Sequence, residues 1–489
     1  MKDGNEMWKC KERPRAATSG KADQPRPRRG GAAKHAHAYA SARAPRADLT
    51  RLSGPLSRAP PCPLITMPAI IMPAITTLAP TLPERLSATC VLLALFCIPF
   101  STALTNVFVA TSLLLFVLAL GASAALRAQA LRAPPARLAL ALLALLVVAS
   151  SWSNAPAPDL VKALGKYAKL LLLPLAITLA WRSPALPRRA LHCFLAGAGV
   201  LALACYLAYF ELMPSSRLGW WRVGDAGNAF AFKNHITIGI LLGFAAALSL
   251  LKASYDTGRA RLLAIAAGIG FGFPVIFLMQ GRTGYVALFV GLVTLLLLRM
   301  RLTAPRAVAG VGAIVLLFAC FYAVSANFKL RTDALISEVR TVDARTPNGQ
   351  RVSFLQVGAR MIAADPVFGR GTASFAEAYA PTARRTWPEG SFQAGVRYQP
   401  HSEFLLIAVQ LGLLGTLLYF ALLGAIGKAA LQVRNLEADS LALLWAIYVC
   451  ASAFNSLLWD PTEGYWFLLL AGCLYASATR FQRQAAQLA

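Results

Sequence analysis

Three residues in this sequence are of types that could carry group transfer. His401 stands in Pro400-His401-Ser402-Glu403-Phe404, at the start of a long apolar run that extends through Gly412 and Gly415. The positive end of a helix dipole disfavours an imidazolium, and a neutral imidazole is what a general base requires. The plainer alternative is a histidine that simply hydrogen-bonds a helix end. Arg282 lies in Gln280-Gly281-Arg282-Thr283-Gly284-Tyr285, between two apolar stretches. Placing arginine near hydrocarbon costs about 2.5–3.5 kcal/mol at a helix centre and less toward the interface, so something must offset it. A phosphate ligand would, because guanidinium matches phosphate oxygens in bidentate geometry. A topological anchor, or a buried pair with an acid such as Asp460, would serve as well. Arg351 is one of ten basic residues between 327 and 400, and by itself it reads as part of a solvated helix face.

A second basic feature is Lys162, Lys166 and Lys169, spaced four and three apart and therefore on one helix face. Three ammonium groups repel one another unless an anion neutralises them. The triplet is a candidate docking surface for a phosphorylated lipid, with interior pairing or snorkelling as a nearly equal alternative. Further candidate substrate-binding residues are Arg222, Lys233, Asn234, His235, Ser402 and Asp460.

The elements that must position these residues are membrane helices. The chain has 489 residues, of which 57% are hydrophobic and 14% charged, against about a quarter charged in soluble domains. From Ser87 onward, apolar stretches recur that are long enough to cross a hydrocarbon core of roughly 30 Å. About twelve are expected, near 86–103, 105–125, 137–151, 160–181, 190–210, 235–251, 261–279, 283–299, 307–326, 402–427, 437–457 and 462–479. The fold class is thus an all-α polytopic integral membrane protein with a large, partly helical loop between the ninth and tenth helices. By segment, 1–85 is a basic N-terminal stretch, 86–326 holds helices one to nine, and 327–400 is the loop domain. Residues 401–480 hold the last three helices, and 481–489 is a cytoplasmic tail.

The net charge of +27 reads first as orientation rather than as a nucleic-acid surface. Short cytoplasmic loops collect Lys and Arg, and every alternate loop here is basic: Arg127, Arg132 and Arg137; Arg182, Arg188 and Arg189; Lys252, Arg259 and Arg261; Arg299, Arg301 and Arg306; Lys428 and Arg434; Arg480 and Arg483. That pattern puts both termini in the cytoplasm. Lys233, Asn234, His235, Arg282, Arg351, His401 and Asp460 then converge on the outer face. Residues 1–66 hold fourteen Lys or Arg against five Asp or Glu and no apolar period, the composition of a segment that does not fold alone. Met67 and Met72 are candidate starts for the native chain.

Within 327–400 the expected order is a polar loop, then a helix near 350–364 with Phe354, Leu355, Gly358, Met361 and Ile362 on one face, stopped by Asp365-Pro366. The remainder, through Arg384, Arg385 and Trp387, carries no clear period and is expected to be mobile. Gly412, Gly415, Gly424 and Gly427 read as positions of close helix packing. The nine cysteines form no CxxC pair, so neither a disulfide framework nor a zinc site is indicated. No P-loop, dinucleotide fingerprint, HExxH or close acidic cluster occurs, and no metal or cofactor is expected. What remains is an outer-face site with arginines for an anionic leaving group and a histidine for an acceptor proton. A lipid-linked pyrophosphate donor suits that set.

The sequence resembles the O-antigen ligase family (lipid A-core:surface polymer ligases), related to O-antigen polymerases and protein O-oligosaccharyltransferases. His401-Ser402, nine residues, Gly412, two residues and Gly415 match the ligase histidine motif. Arg282-Thr283-Gly284-Tyr285 resembles the family's arginine motif, with Val286 where Leu is expected. Gly349-Gln350-Arg351 followed by Asp365-Pro366-Val367-Phe368-Gly369 resembles the periplasmic segment that carries a second arginine. The likeness spans roughly residues 86–480 in topology and is most specific at the histidine motif. It implies a metal-independent, inverting transferase of the bacterial inner membrane. The donor would be polysaccharide on undecaprenyl pyrophosphate, the acceptor lipid A-core, and the site periplasmic. By that resemblance His401 is the base, and Arg282 and Arg351 hold the pyrophosphate. The rivals are a polymerase, a protein O-oligosaccharyltransferase and, more distantly, a transporter or flippase of the same lipid. Sugar identity and oligomeric state are not legible here.

Overall fold

A computed structural model describes residues 80–214, 222–299, 304–341, 345–388, 391–395 and 397–488. Most of the basic leader, with Met67 and Met72, lies outside the described residues. Helices follow in the order α1 (Leu82–Cys97), α2 (Thr102–Ala122), α3 (Ala124–Ala130), α4 (Pro134–Ala149), α5 (Ala157–Tyr167), α6 (Leu172–Arg182), α7 (Leu186–Tyr209), α8 (His235–Ala253), α9 (Gly258–Phe273), α10 (Arg282–Arg299) and α11 (Ala304–Val324). After these come α12 (Ala326–Thr341), α13 (Pro347–Ala364), α14 (Ser374–Ala383), α15 (Glu403–Gln432), α16 (Leu436–Ser452) and α17 (Pro461–Leu488).

Each of the twelve apolar stretches overlaps a helix, and the one at 160–181 covers both α5 and α6. Among the described residues eight helices are long and apolar enough to cross a membrane, or nine if the bent pair α11–α12 counts as one span. By the same test α1, with 16 residues, and α16, with 17, are short. Two expectations need correction. Residues 326–341 are helical rather than a polar loop, because Ser325 breaks α11 and α12 turns away by 104°. The C-terminal residues expected as a tail continue α17 to Leu488. A short antiparallel hairpin, β1 (Val223–Asp225) and β2 (Asn228–Ala231), adds the two strands of the described fold.

Burial follows from the surroundings each helix must satisfy. In hydrocarbon every backbone group has to be paired within the segment, which helices achieve. α8 is apolar all round, and 83% of its apolar window is buried in protein; for α2 the share is 28%, and Leu114, Val117 and Leu118 face outward. α8 is therefore the central post. Phe194 and Phe244 pack against Trp466 around it. α10 lies tight beside α8, because a Cβ on Gly239 would sit 2.7 Å from the Cα of Gly284. The glycine after Arg282-Thr283 thus fixes how close the arginine's helix stands to the post.

The loop domain is tied to the bundle by a backbone clasp. Gly412 has φ +62° and ψ −153°, so α15 is broken there. The segment after α13 fills the break: Leu413 and Leu414 N–H donate to the Pro366 and Val367 carbonyls, while Arg370 and Gly371 N–H donate to those of Val409 and Gln410. A Cβ at Gly412 would lie 2.5 Å from Val367, and one at Gly369 (φ +67°) would lie 2.5 Å from the Gly412 nitrogen. The expected role of Gly412 in helix packing is therefore replaced by an opening for another segment. Gly427 does pack closely, on Trp445, whereas Gly424 faces open space. The Gln410 side chain locks the same joint from the side, its Oε1 accepting from Ala373 N–H at 2.8 Å and its Nε2 reaching the Tyr167 hydroxyl at 3.1 Å.

The buried face of α13 is Phe354, Val357 and Met361, packed with Phe375, Tyr379, Leu405, Leu406 and Val409. Leu355, expected on that face, is exposed; the i, i+3, i+7 stripe runs one position to its other side. Residues 374–383, left without a period by the sequence, form α14, whose Phe375 and Tyr379 complete this small core.

Candidate functional site

Four helices begin at one end of the bundle. α8 and α10 are bound there by their glycines, α17 meets α8 through a hydrogen bond from the Thr237 hydroxyl to Glu463, and α15 meets the start of α17 through Glu403. Their positive dipole ends face the same side. Arg282 opens α10 after a π-turn over Pro274–Leu278, where Pro274 cannot continue the α-helical hydrogen bonding, and the three residues Met279-Gln280-Gly281. Ser402 caps α15, its hydroxyl accepting from Leu405 N–H at 3.4 Å. His401 precedes the cap with φ +49°, a left-handed conformation that histidine adopts more readily than most residues but that still stores about 1–3 kcal/mol.

His401 keeps exposed surface and lies 6.0 Å, ring to ring, from Phe354. The protein around it still excludes enough water to push its imidazole down to about 4, with the charge of Arg351 as the second cause. Both causes favour the neutral form, the one able to accept a proton. Arg351, in α13, is itself lowered by burial and then by Arg282, with Glu338 opposing. The three sequence-derived residues His401, Arg351 and Arg282 are thus within electrostatic reach in series. A buried pair was one alternative for Arg282, with Asp460 as the acid; the structure supplies Glu338 instead. Both terminal nitrogens of Arg282 meet the two Glu338 oxygens at 2.7 and 2.6 Å.

Two members of this cluster were missed by the sequence reading. Glu338 and Arg331 both sit on α12, in the stretch expected to be loop, so no helical period drew attention to them. Arg331 donates to the Gln280 side-chain Oε1 at 2.6 Å, and Gln280 in turn holds the hairpin and α12 through Asn228, Gly227 and Asn327. Asn348 joins through a 3.4 Å contact from Arg351 and through its N–H on Glu338.

The remaining candidates divide. Lys169 is buried and donates to the Asp460 carbonyl at 2.8 Å, and Lys166 stands 3.9 Å over the Trp459 ring. Lys162 is exposed. The lysine stripe therefore splits, its two inner members holding the turn before α17. Asp460 begins that helix beside them, its carbonyl accepting from Gly464 N–H. Glu403 clamps the same turn, accepting from Leu458 and Trp459 N–H at 2.8 and 3.0 Å. Lys233 is held by the Thr102 and Thr462 hydroxyls, and burial pushes its ammonium down to about 8 against the pull of Glu463. Asn234 caps α8 by accepting from Ile236 and Thr237 N–H, and His235 lies against Gly281. Arg222 is exposed at the start of the hairpin, where its carbonyl accepts from Phe232 N–H.

These features define a helical membrane protein in which three arginines, an acid and a histidine gather at one end. Residues 267–420 match the family model described as O-antigen ligase (Wzy_C). That stretch contains Arg282, Arg331, Glu338, Arg351 and His401, so the resemblance read from the histidine motif is supported across the cluster. No curated protein matches the chain.

Proposed function

We propose that the chain transfers O-antigen polysaccharide from undecaprenyl pyrophosphate to lipid A-core at the periplasmic face of the bacterial inner membrane. The observation that carries this reading is the run of contacts inside the family-matched stretch, in which Glu338 and Asn348 link Arg282 to Arg351 and Phe354 on the same helix lies 6.0 Å from the His401 ring. In this mechanism His401 takes the proton from the acceptor sugar hydroxyl as its oxygen attacks the anomeric carbon. The carbon–oxygen bond to pyrophosphate breaks with inversion, and the bonding pair leaves on the phosphate oxygen. Arg282 and Arg351 offset the charge that develops there. A unit-charge pair near 4 Å is worth about 4 kcal/mol at an effective dielectric of 20. No metal takes part.

One assay tests the reading. Purified protein receives undecaprenyl-linked polysaccharide and lipid A-core, with chelator and without nucleotide. Ligated lipopolysaccharide is the expected product. Chain growth on the donor would replace the ligase by a polymerase, and product on a peptide acceptor alone by a protein O-oligosaccharyltransferase. Lipid crossing the bilayer with no product at all would leave a transporter.

A further inference from the structure

Resting on that reading, we propose that Glu338 is a built-in stand-in for the donor's diphosphate, which binds by displacing this carboxylate from Arg282, and that Arg331 is a third arginine of the same anion site. Glu338 engages Arg282 through both oxygens at 2.6 and 2.7 Å. That is the fork geometry in which guanidinium also takes phosphate. Among the described residues one carboxylate, Glu338, faces the guanidinium groups of Arg282, Arg331 and Arg351, so two of the three positive charges have no acid of their own there.

The donors report the same deficit. Arg331 Nε, Arg351 Nε and Asn348 Nδ2 are buried and have no hydrogen-bond partner among the described residues. Buried donors left unmade carry the full cost of their desolvation, and three of them in one cluster call for more acceptor oxygens than Glu338 has. A diphosphate supplies both the missing charge and the missing acceptors; a single carboxylate or a monophosphate supplies fewer. The local architecture allows the exchange. The start of α12 is pinned where Ser325 donates to the Ile276 carbonyl at 2.6 Å and Asn327 to that of Phe277 at 3.0 Å. Arg331 sits within two turns of those pins, whereas Glu338 stands nearly four turns along and is held by the site itself.

The full chain in lipid nanodiscs, titrated calorimetrically with inorganic pyrophosphate and with a C15 isoprenyl diphosphate, tests this. Glu338→Gln should bind both about tenfold more tightly than the wild type, and Arg331→Gln about tenfold more weakly. Glu338→Asp, which keeps the charge but is one methylene too short for the two-oxygen fork, should bind more tightly by a smaller factor, and it serves if the amide variant does not fold. A merely structural Glu338 would give equal or weaker binding on substitution. That result, or unchanged binding in Arg331→Gln, overturns the proposal while weakened binding in Arg282→Gln leaves the donor-site reading standing. A wild-type chain that binds neither probe overturns both.

Discussion

The two ends of the bundle are both rich in arginine, and they use it differently. At the end that carries the basic loops, cations meet buried acids: Arg182 with Glu84, Arg188 with Glu437, and Arg299 and Arg434 with Asp439 at 3.8 and 3.3 Å. Tyr255 completes Asp439 with a 2.7 Å hydrogen bond. At the other end Arg282 meets Glu338, but among the described residues the Nε donors of Arg331 and Arg351 are buried and unsatisfied. Basic composition therefore does not distinguish anchor from site. Whether the buried arginine donors themselves are satisfied does, since the unpaired groups at the first end, Asn435 Nδ2 and Glu437 Oε2, belong to no arginine.

Substitutions at the two ends should separate chemistry from stability. The largest effect is expected for His401→Ala, which should lower transfer by about 10²–10⁴, the usual contribution of a general base; Arg282→Ala should lower it by a comparable or smaller factor. Unaltered melting and expression would accompany the His401 loss, and retained turnover would remove its assigned role. Asp439→Asn should do the converse. Breaking a buried ionic group from its partners costs about 3–5 kcal/mol, read as a lowered unfolding midpoint, while turnover per folded molecule stays unchanged. A fall in turnover greater than the fall in folded protein would end the division of labour between the ends.

Gly412→Ala falls between these cases, because it loosens the clasp that holds the loop domain to α15. The positive φ alone costs an alanine about 1–3 kcal/mol, and the Cβ would collide with Val367. Proteolysis within 345–388 should quicken and transfer should drop about tenfold. Unchanged proteolysis would mean that the loop domain is held elsewhere.

The clasp also marks how far the sequence was legible. Twelve apolar stretches and alternating basic loops announced the helices, because membrane insertion acts on local composition. The His401 motif, through its spacing to Gly412, pointed to the family whose model covers residues 267–420. The reason for that spacing was hidden, since the partner of Gly412 lies more than forty residues away and an isolated glycine in an apolar run reads as packing. Glu338 escaped for a related reason. Its meaning depends on the 104° turn at Ser325, which brings a polar helix back over Arg282, and nothing in local periodicity encodes such a return. Leu355 shows the smaller error: an apolar residue on an amphipathic helix faced outward because the stripe chosen by packing was the neighbouring one.

The smallest expected effect is on the pH profile. An ordinary histidine begins to lose its neutral form below about 6.5, so a base of that kind would slow transfer through mildly acidic pH. His401 is pushed down to about 4 by exclusion of water and then by Arg351. Its neutral, proton-accepting form therefore persists as pH falls from 6.5 to 5, and transfer should stay level across that window before dropping about tenfold per unit well below 4. Arg351→Gln removes the second cause, so the acid limb should move to higher pH even after the profile is normalised for the lower rate. This shift separates a neighbour that tunes the imidazole from one that only holds the donor, because lost donor binding scales the profile without moving its limb. A limb that stays in place in Arg351→Gln would assign the low value to burial alone, and a wild-type limb near 6.5 would show that water reaches His401 freely.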